Sequence, residues 1–256
     1  MNTIKVTIQD RAAIISLNRG KSNAINEAMV DELHKFIINI ENDENIGGLI
    51  LTGNAGFFTA GLDLIELYDY DEEQIKTFWK KFLNLVKTLT LFKKPMVAAI
   101  SGHSPAGGCV LAITCDYRVM AEGKYIIGLN EVPVGIIVPD SIFELYAFWI
   151  GKAKAYQNLL EGKLMGVEEA KTIGLIDAIA PIDSLMTVAQ KKMQTYLQLP
   201  AVTWQQSKLN LKKDLIAKVS EDQTETLEMM LKQWWSPSTR SILKTIIQNL
   251  TKKENV

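Results

Sequence analysis

An α/β core followed by an all-helical C-terminal region is predicted by three observations. Short apolar strand-like runs alternate with helical periodicity through roughly the first 180 residues. Beyond Pro181 the pattern becomes helical only, over 182–198, 201–217, 221–235 and 237–252. The 256 residues are 47% apolar and 22% charged, a balance that supports a sizeable buried core and excludes disorder. Single short strands separated by helices point to a layered or spiral α/β arrangement.

The chain opens with IKVTIQD and RAAIISL, two apolar runs broken by Asp10-Arg11, which predict a hairpin. Residues 27–41 follow as a helix, with Met29, Leu33, Phe36, Ile37 and Ile40 at helical spacing and Asn26 as its cap. GGLILTG is a buried strand, and the loop NAGFFTAGLDL leads to a long amphipathic helix carrying Ile75, Phe78, Trp79, Phe82, Leu85, Val86 and Leu89. Residues 65–75 are expected as a loop that sets pocket depth. Pro95 restarts the chain as the strand MVAAI, which runs into the turn SGHSPAGG. GCVLAIT reads as a buried helix, YRVMAEGKYII as strand material, and GLNEVPVGIIVP as a loop punctuated by Gly and Pro. Met229, Met230, Leu231, Trp234 and Trp235 give the helical tail an apolar face to hide, against the core or another subunit.

Lys and Arg number 28 against 29 Asp and Glu, a net charge of -1, so the chain has no basic footprint for nucleic acid or anionic lipid. The Lys212-Lys213 and Lys252-Lys253 pairs read as solvated helix faces. Cys109 and Cys115 sit in an apolar stretch and MNTIKVTIQD carries no apolar signal region, so a reduced, cytoplasmic protein is expected. No apolar run approaches the roughly 18 residues of a membrane helix, so no membrane association is expected.

The sequence lacks Cys/His spacing for a metal, a GxSxG elbow, a Walker loop and a GxGxxG turn, so no metal or nucleotide cofactor is expected. His34 falls on the polar side of its helix, and His103 either lines a pocket or serves structure. Two Gly-containing turns, Phe58 to Leu64 and Ser104 to Cys109, each join a strand to a helix. Small residues there let a ligand approach the backbone, and the first N–H groups of a helix have no internal acceptor. Either turn alone is also explained as a tight turn; together they fit a two-donor site for an oxyanion. Glu131, flanked almost wholly by apolar residues, is a solvated loop residue or a desolvated base with a raised pKa. Asp63 is as well explained by hydrogen bonding in its own turn, and Asp116 by holding one.

Taken together, NAIN, FFTAGLDL, the AAISGHSPAGGCVLAITCDYRVMAE block, GLNEVPVGIIVP and GLID-AIAP resemble the crotonase (enoyl-CoA hydratase/isomerase) superfamily over essentially the whole chain. Within it, AGLDL, PAGGC, TCDYR and IGLNE are most similar to mitochondrial-type delta(3)-delta(2)-enoyl-CoA isomerases. The resemblance implies a crotonase-like spiral of repeated ββα units, an α/β fold, over 1–195 for acyl-CoA binding and catalysis. It implies a helical region over 196–256 that assembles a homotrimer or a dimer of trimers. It implies backbone N–H donors to the thioester oxygen at Ala60 and Gly107, and acyl-CoA contacts at Ala24, at Ala60, Gly61, Leu62, Asp63 and Leu64, at Gly107 and at Asn130. CoA enters as part of the substrate, without a separate cofactor.

Glu131 matches the carboxylate shared by hydratases and isomerases, whereas the second glutamate of the hydratases falls on Val110. Hydration needs one group for the water and another for the α-carbon proton. Moving a double bond needs one base, so the resemblance implies conversion of 3-enoyl-CoA to 2-trans-enoyl-CoA in fatty-acid β-oxidation. Val110, Leu111, Ile136, Ile137 and Val138 are expected to keep the acyl pocket apolar. Hydration, decarboxylation and thioester hydrolysis are the alternative reactions, although the motifs offer no Arg or Lys for a malonyl carboxylate. A non-enzymatic scaffold or RNA binder is the remaining class. Lys21, Lys93 and Lys94 are candidates for the CoA phosphates that spacing alone does not place.

Overall fold

Two consecutive residues with left-handed backbone, Asp10 (φ +47°) and Arg11 (φ +65°), close the hairpin of β1 (Ile4–Gln9) and β2 (Ala12–Leu17). Positive φ at both central positions is what a two-residue turn needs to match strand twist. The computed structural model describes the backbone of residues 2–254 and the side chains of residues 2–251. In α1 (Glu27–Asn42), the Asn26 side chain caps the Met29 N–H, as its sequence position predicts.

The chain then passes three times from a larger sheet to a smaller one and out into helix. β3 (Gly48–Thr52) leads through β4 (Gly56–Phe57) to α2 (Leu64–Tyr68) and α3 (Glu72–Leu91). β5 (Met96–Ile100) leads through β6 (Gly102–Pro105) to α4 (Gly107–Ile113). β7 (Tyr117–Ala121) leads through β8 (Ile126–Gly128) and a 3-10 turn, Val132–Val134, to α5 (Asp140–Ile150) and α6 (Lys152–Glu161). After β9 (Leu164–Gly166), α7 (Val167–Thr172) and β10 (Ala178–Ala180), α8 (Ile182–Leu197) leads into the tail. The larger sheet has the order β1-β2-β3-β5-β7-β10 and the smaller β4-β6-β8-β9, so each step stacks on the last. This is the spiral of ββα units that the motifs imply.

β3 and β5 are buried along their whole length, as central parallel strands covered on both faces must be. One face carries α8 through Leu185, Ala189 and Met193, which pack on Ile50, Val97 and Val119. The main core fills the other side, where Phe78, Trp79 and Phe82 of α3 pack ring against ring. Each such side chain contributes roughly 1.5–3 kcal/mol by burial.

Three expectations are corrected and two are made specific. YRVMAEGKYII is strand material, as expected, in two pieces: Glu122–Lys124 turn the chain from the larger sheet into the smaller. Residues 65–75 are not a loop but α2 and the capped start of α3, where Asp71 and Gln74 satisfy each other's backbone N–H groups. The helix over 201–217 breaks at Lys212 into α9 (Ala201–Leu211) and α10 (Lys213–Ser220), and Lys212, expected on a solvated face, is buried against Asp116, while the side chains of Lys252-Lys253 lie outside the described residues. Of the two covers expected for the apolar tail face, its own chain supplies most: in α11 (Thr224–Trp234), Met230 is 3% and Trp234 2% exposed, and the helix packs on α3. α10 packs on α3 and α5, and α12 (Pro237–Glu254) on α2 and the 3-10 turn. The stretch 140–172, which periodicity leaves unassigned, folds as α5, α6, β9 and α7 around the buried Ile142, Leu145, Tyr146 and Leu159.

Candidate active site

The segment 22–26 and the loop 60–63 run side by side and define one wall of a cavity of about 1100 Å³. Ala60 N donates to Ser22 O at 2.8 Å, Ile25 N to Gly61 O at 2.8 Å, and Asp63 N to Ile25 O at 2.9 Å. Asn23, fully buried with φ +50°, locks this ribbon: its Oδ1 accepts from Arg19 N and its Nδ2 donates to Phe58 O. Thr59 Oγ1 donates to Asn23 O and accepts from Gly61 N. Ala24, Ala60, Leu62, Asp63 and Leu64 line the cavity, whereas Gly61 is outside the lining, turned against Ala106 and Gly107.

The adjoining wall is the turn before α4, which meets the first wall at Gly61. Ala106 holds φ +48° and ψ −121°, a conformation that costs an alanine on the order of 1–3 kcal/mol and turns the chain abruptly into the helix. Gly107 follows at the cavity surface. Ala60 fails as a free donor, because its N–H is already given to Ser22. Among the described residues, the N–H groups of Leu62 and Gly107 have no acceptor. Alternation along the ribbon explains the difference: successive N–H groups point to opposite sides, and the notional pattern AGLD does not say which side faces the ligand.

Glu131 stands at the base of the cavity, 7% exposed, as the residue before the 3-10 turn. Its carbonyl accepts from Val134 N and Ile136 N, which fixes the backbone. Its Oε2 is buried without a hydrogen-bond partner. Burial raises its pKa from 4.5 to about 7, opposed by the backbone N–H. Neighbouring Asn130 also lines the cavity, with its Oδ1 buried and unpartnered. Asp63 is the other carboxylate in the lining, and it is committed: it caps the Glu66 N–H and pairs with Arg19 at 2.6 Å.

Val110 and Ile136 line the cavity as expected, while Leu111, Ile137 and Val138 pack into the core. Trp79 and Phe82 from α3, Ile142 from α5 and Ile246 and Leu250 from α12 complete the apolar lining. Those contributors are distant in sequence and no motif marks them. Lys21 lies exposed at the cavity rim, whereas Lys94 is buried elsewhere, donating to Ile40 O and Asp43 O. Lys93 is exposed outside the lining. His103 accepts from Ile126 N between Phe57 and Tyr125 and serves structure, and His34 pairs with Asn84 on the surface.

The family model described as enoyl-CoA hydratase/isomerase matches residues 7–253. The chain belongs to the enoyl-CoA hydratase/isomerase family. Among relatives in this crotonase superfamily, the rat mitochondrial enoyl-CoA delta isomerase 1 is 37% identical over 78% of this chain and 71% of its own. A probable enoyl-CoA hydratase of Mycobacterium bovis is 33% identical over 78% of this chain and 77% of its own. The crystal structure of human mitochondrial delta3-delta2-enoyl-CoA isomerase superposes with a TM-score of 0.93 at 27% identity, over 98% of this chain and 99% of that one. The family acts on acyl-CoA thioesters, and its hydratases and isomerases are similarly near to this chain.

Proposed function

We propose that this family member is a delta(3)-delta(2)-enoyl-CoA isomerase, converting 3-enoyl-CoA to 2-trans-enoyl-CoA in fatty-acid β-oxidation. The observation that carries the reading is the single uncommitted carboxylate: Glu131 has a free, desolvated Oε2 and Val110 stands where a second acid would be needed. The thioester oxygen is held by the N–H groups of Leu62 and Gly107, with Leu62 taking the place first assigned to Ala60. Glu131 removes a proton from the α carbon, and the electron pair moves through the thioester to its oxygen. The dienolate collapses as Glu131 returns the proton to the γ carbon, and the double bond ends in conjugation with the carbonyl. Two fixed donors in a dry site support the anion without reorganisation, and losing one such donor costs roughly 100- to 1000-fold.

The apolar lining supports the same reading by keeping water from the dienolate. Ala24, Asn130 and the rim residue Lys21 are proposed contacts of the CoA portion, and no separate cofactor takes part. A cytoplasmic homotrimer or dimer of trimers is the proposed form; Val202 at 74% and Leu211 at 78% exposure are apolar groups that association would cover.

The test is a spectrophotometric assay with 3-hexenoyl-CoA on wild type and Glu131→Gln, with crotonyl-CoA hydration as control. Isomerisation abolished by the substitution, with little hydration, supports the reading. Brisk hydration by the wild type, or turnover indifferent to Glu131, overturns it.

A further inference from the structure

The first turn of α12 touches the segment that follows Glu131 and the end of α2, the helix that follows the Leu62 loop, through adjacent residues that do not themselves line the cavity. Thr239 is fully buried. Its Oγ1 donates to Gly135 O at 3.1 Å and accepts from Gln233 Nε2 at 2.9 Å. Gly135 lies four residues after Glu131 and has φ +80°, and a Cβ built on it would stand 2.7 Å from Thr239 Oγ1. Only glycine fits there, so the contact is a close backbone approach rather than a chance graze. The path from Gly135 back to Glu131 is stiff, because Gly135 N donates to Val132 O and Ile136 N to Glu131 O.

Arg240 does the corresponding work at the end of α2, the helix that follows the other loop. Its Nη2 donates to Tyr68 O at 2.9 Å, and its guanidinium lies 3.5 Å from the centre of the Tyr68 ring and 4.9 Å from that of Trp235. A planar cation stacked between two rings is held in position and in angle. Tyr68 ends α2, a helix of five residues whose first turn is capped by Asp63. The pull on Tyr68 therefore reaches the Leu62-Asp63 peptide through a single short element.

We propose that Thr239 and Arg240 are positioning residues: they clasp the Glu131 loop to the Leu62 loop and set the distance between the base and the oxyanion donors. The kinetic part rests on the isomerase reading; the mechanical part does not. Misplacement of reacting groups by about 1 Å costs about 100-fold in rate, which is the scale of effect the clasp protects.

The experiment compares Thr239→Val, Thr239→Ser, Arg240→Ala and Arg240→Lys with the wild type by amide hydrogen exchange and steady-state kinetics. Thr239→Val is expected to speed exchange over 131–138 and leave 60–68 unchanged, and Arg240→Ala to do the reverse. With 3-hexenoyl-CoA, each should lower kcat by about tenfold or more at a KM near wild type, since placement rather than binding is lost. Thr239→Ser keeps the hydroxyl and should restore kcat; Arg240→Lys loses the planar stack and should not. Unchanged exchange in both loops overturns the proposal, as does altered exchange with an unaltered kcat. A wild type inactive on 3-hexenoyl-CoA sinks the isomerase reading alone, and hydrogen exchange, with the Ser and Lys variants as the gentler pair, still decides whether the clasp exists.

Discussion

A methyl group on Gly61 would stand 3.3 Å from the amide nitrogen of Gly107 and 3.1 Å from the Cβ of Ala106. The two turns that meet across the cavity therefore touch backbone to backbone, and Gly61 at φ +89° is the residue that permits it. Gly61→Ala meets both a strained φ and a neighbour that has to give way. The expected result is a folded protein whose isomerisation rate falls on the order of 100-fold, because the displaced element carries a donor. Circular dichroism and kcat on the purified variant check it; an unchanged kcat would show that the donors do not depend on this approach.

On the proposed mechanism, Glu131 should make activity and stability move in opposite directions with pH. With its pKa raised to about 7 by burial, the base is ionised only as pH rises through that value, so kcat/KM should climb along an acid limb near pH 7. Between 4.5 and about 7 the folded state binds more protons than the unfolded one, so stability falls as pH rises across that window. The full difference is on the order of 3 kcal/mol, at about 1.4 kcal/mol per pKa unit. Glu131→Gln should lose about 100- to 10,000-fold in rate and gain stability at pH 8 relative to pH 5. Urea titrations at the two pH values, beside rate profiles, test both halves. An acid limb near pH 4.5 would mean that Glu131 is solvated.

Much of this was legible in the chain because its signals are local. Asp10-Arg11 marks a hairpin turn, Asn26 caps its helix, and the fully apolar strands announce a buried parallel sheet. Glu131 stood out because it is a carboxylate among apolar residues, and its burial bears out the desolvated environment that the pattern allowed. What stayed hidden depends on where distant segments meet. Ala60 and Leu62 are both plausible donors in AGLD, and only the pairing of Ala60 with Ser22 shows which N–H is spent. Trp234 and Met230 need a cover that the sequence leaves open between the core and another subunit, and α3 packs on their helix. Thr239 and Arg240 belong to no motif, since the carbonyls they bind, Gly135 O and Tyr68 O, are more than a hundred residues away.

Val110 tests the link between dryness and reaction class. It is 1% exposed, at the start of α4 and against the cavity. Val110→Glu would set a second carboxylate in an apolar wall, draw water towards the dienolate, and raise the cost of ionising Glu131 beside a like charge. Isomerisation should fall by about tenfold or more, and the acid limb should move to higher pH, as expected for two carboxylates sharing a site. Parallel assays with 3-hexenoyl-CoA and crotonyl-CoA decide it. Isomerisation unaffected by the new acid would separate the dry wall from the mechanism.

Asp116 is the prediction furthest from the cavity, and it concerns how the tail is held. Its Oδ2 accepts from Met96 N at 2.9 Å and from Lys208 Nζ at 2.7 Å, and its Oδ1 from Lys212 Nζ at 3.1 Å. It does more than hold a turn: one carboxylate, its side chain 10% exposed, joins the sheet to α9 and to the α9–α10 junction. Lys208 is 7% exposed, and its pKa is lowered to about 8 by burial, against the opposing pull of Asp116. Asp116→Asn keeps the shape and removes the counter-charge, leaving two ammonium groups buried together. Breaking a buried pair from one side costs about 3–5 kcal/mol. Loss of the carboxylate lowers the folded pKa of Lys208 further below its unfolded value. The folded state then binds fewer protons than the unfolded one across that interval, so stability rises with pH there. The deficit should be largest at and below pH 7 and shrink towards pH 9, with kcat of the folded enzyme unchanged. Urea denaturation of the variant at pH 6 and pH 9 measures this directly. A deficit that is small, or that grows with pH, would mean that the lysines find other acceptors and that the junction does not depend on Asp116.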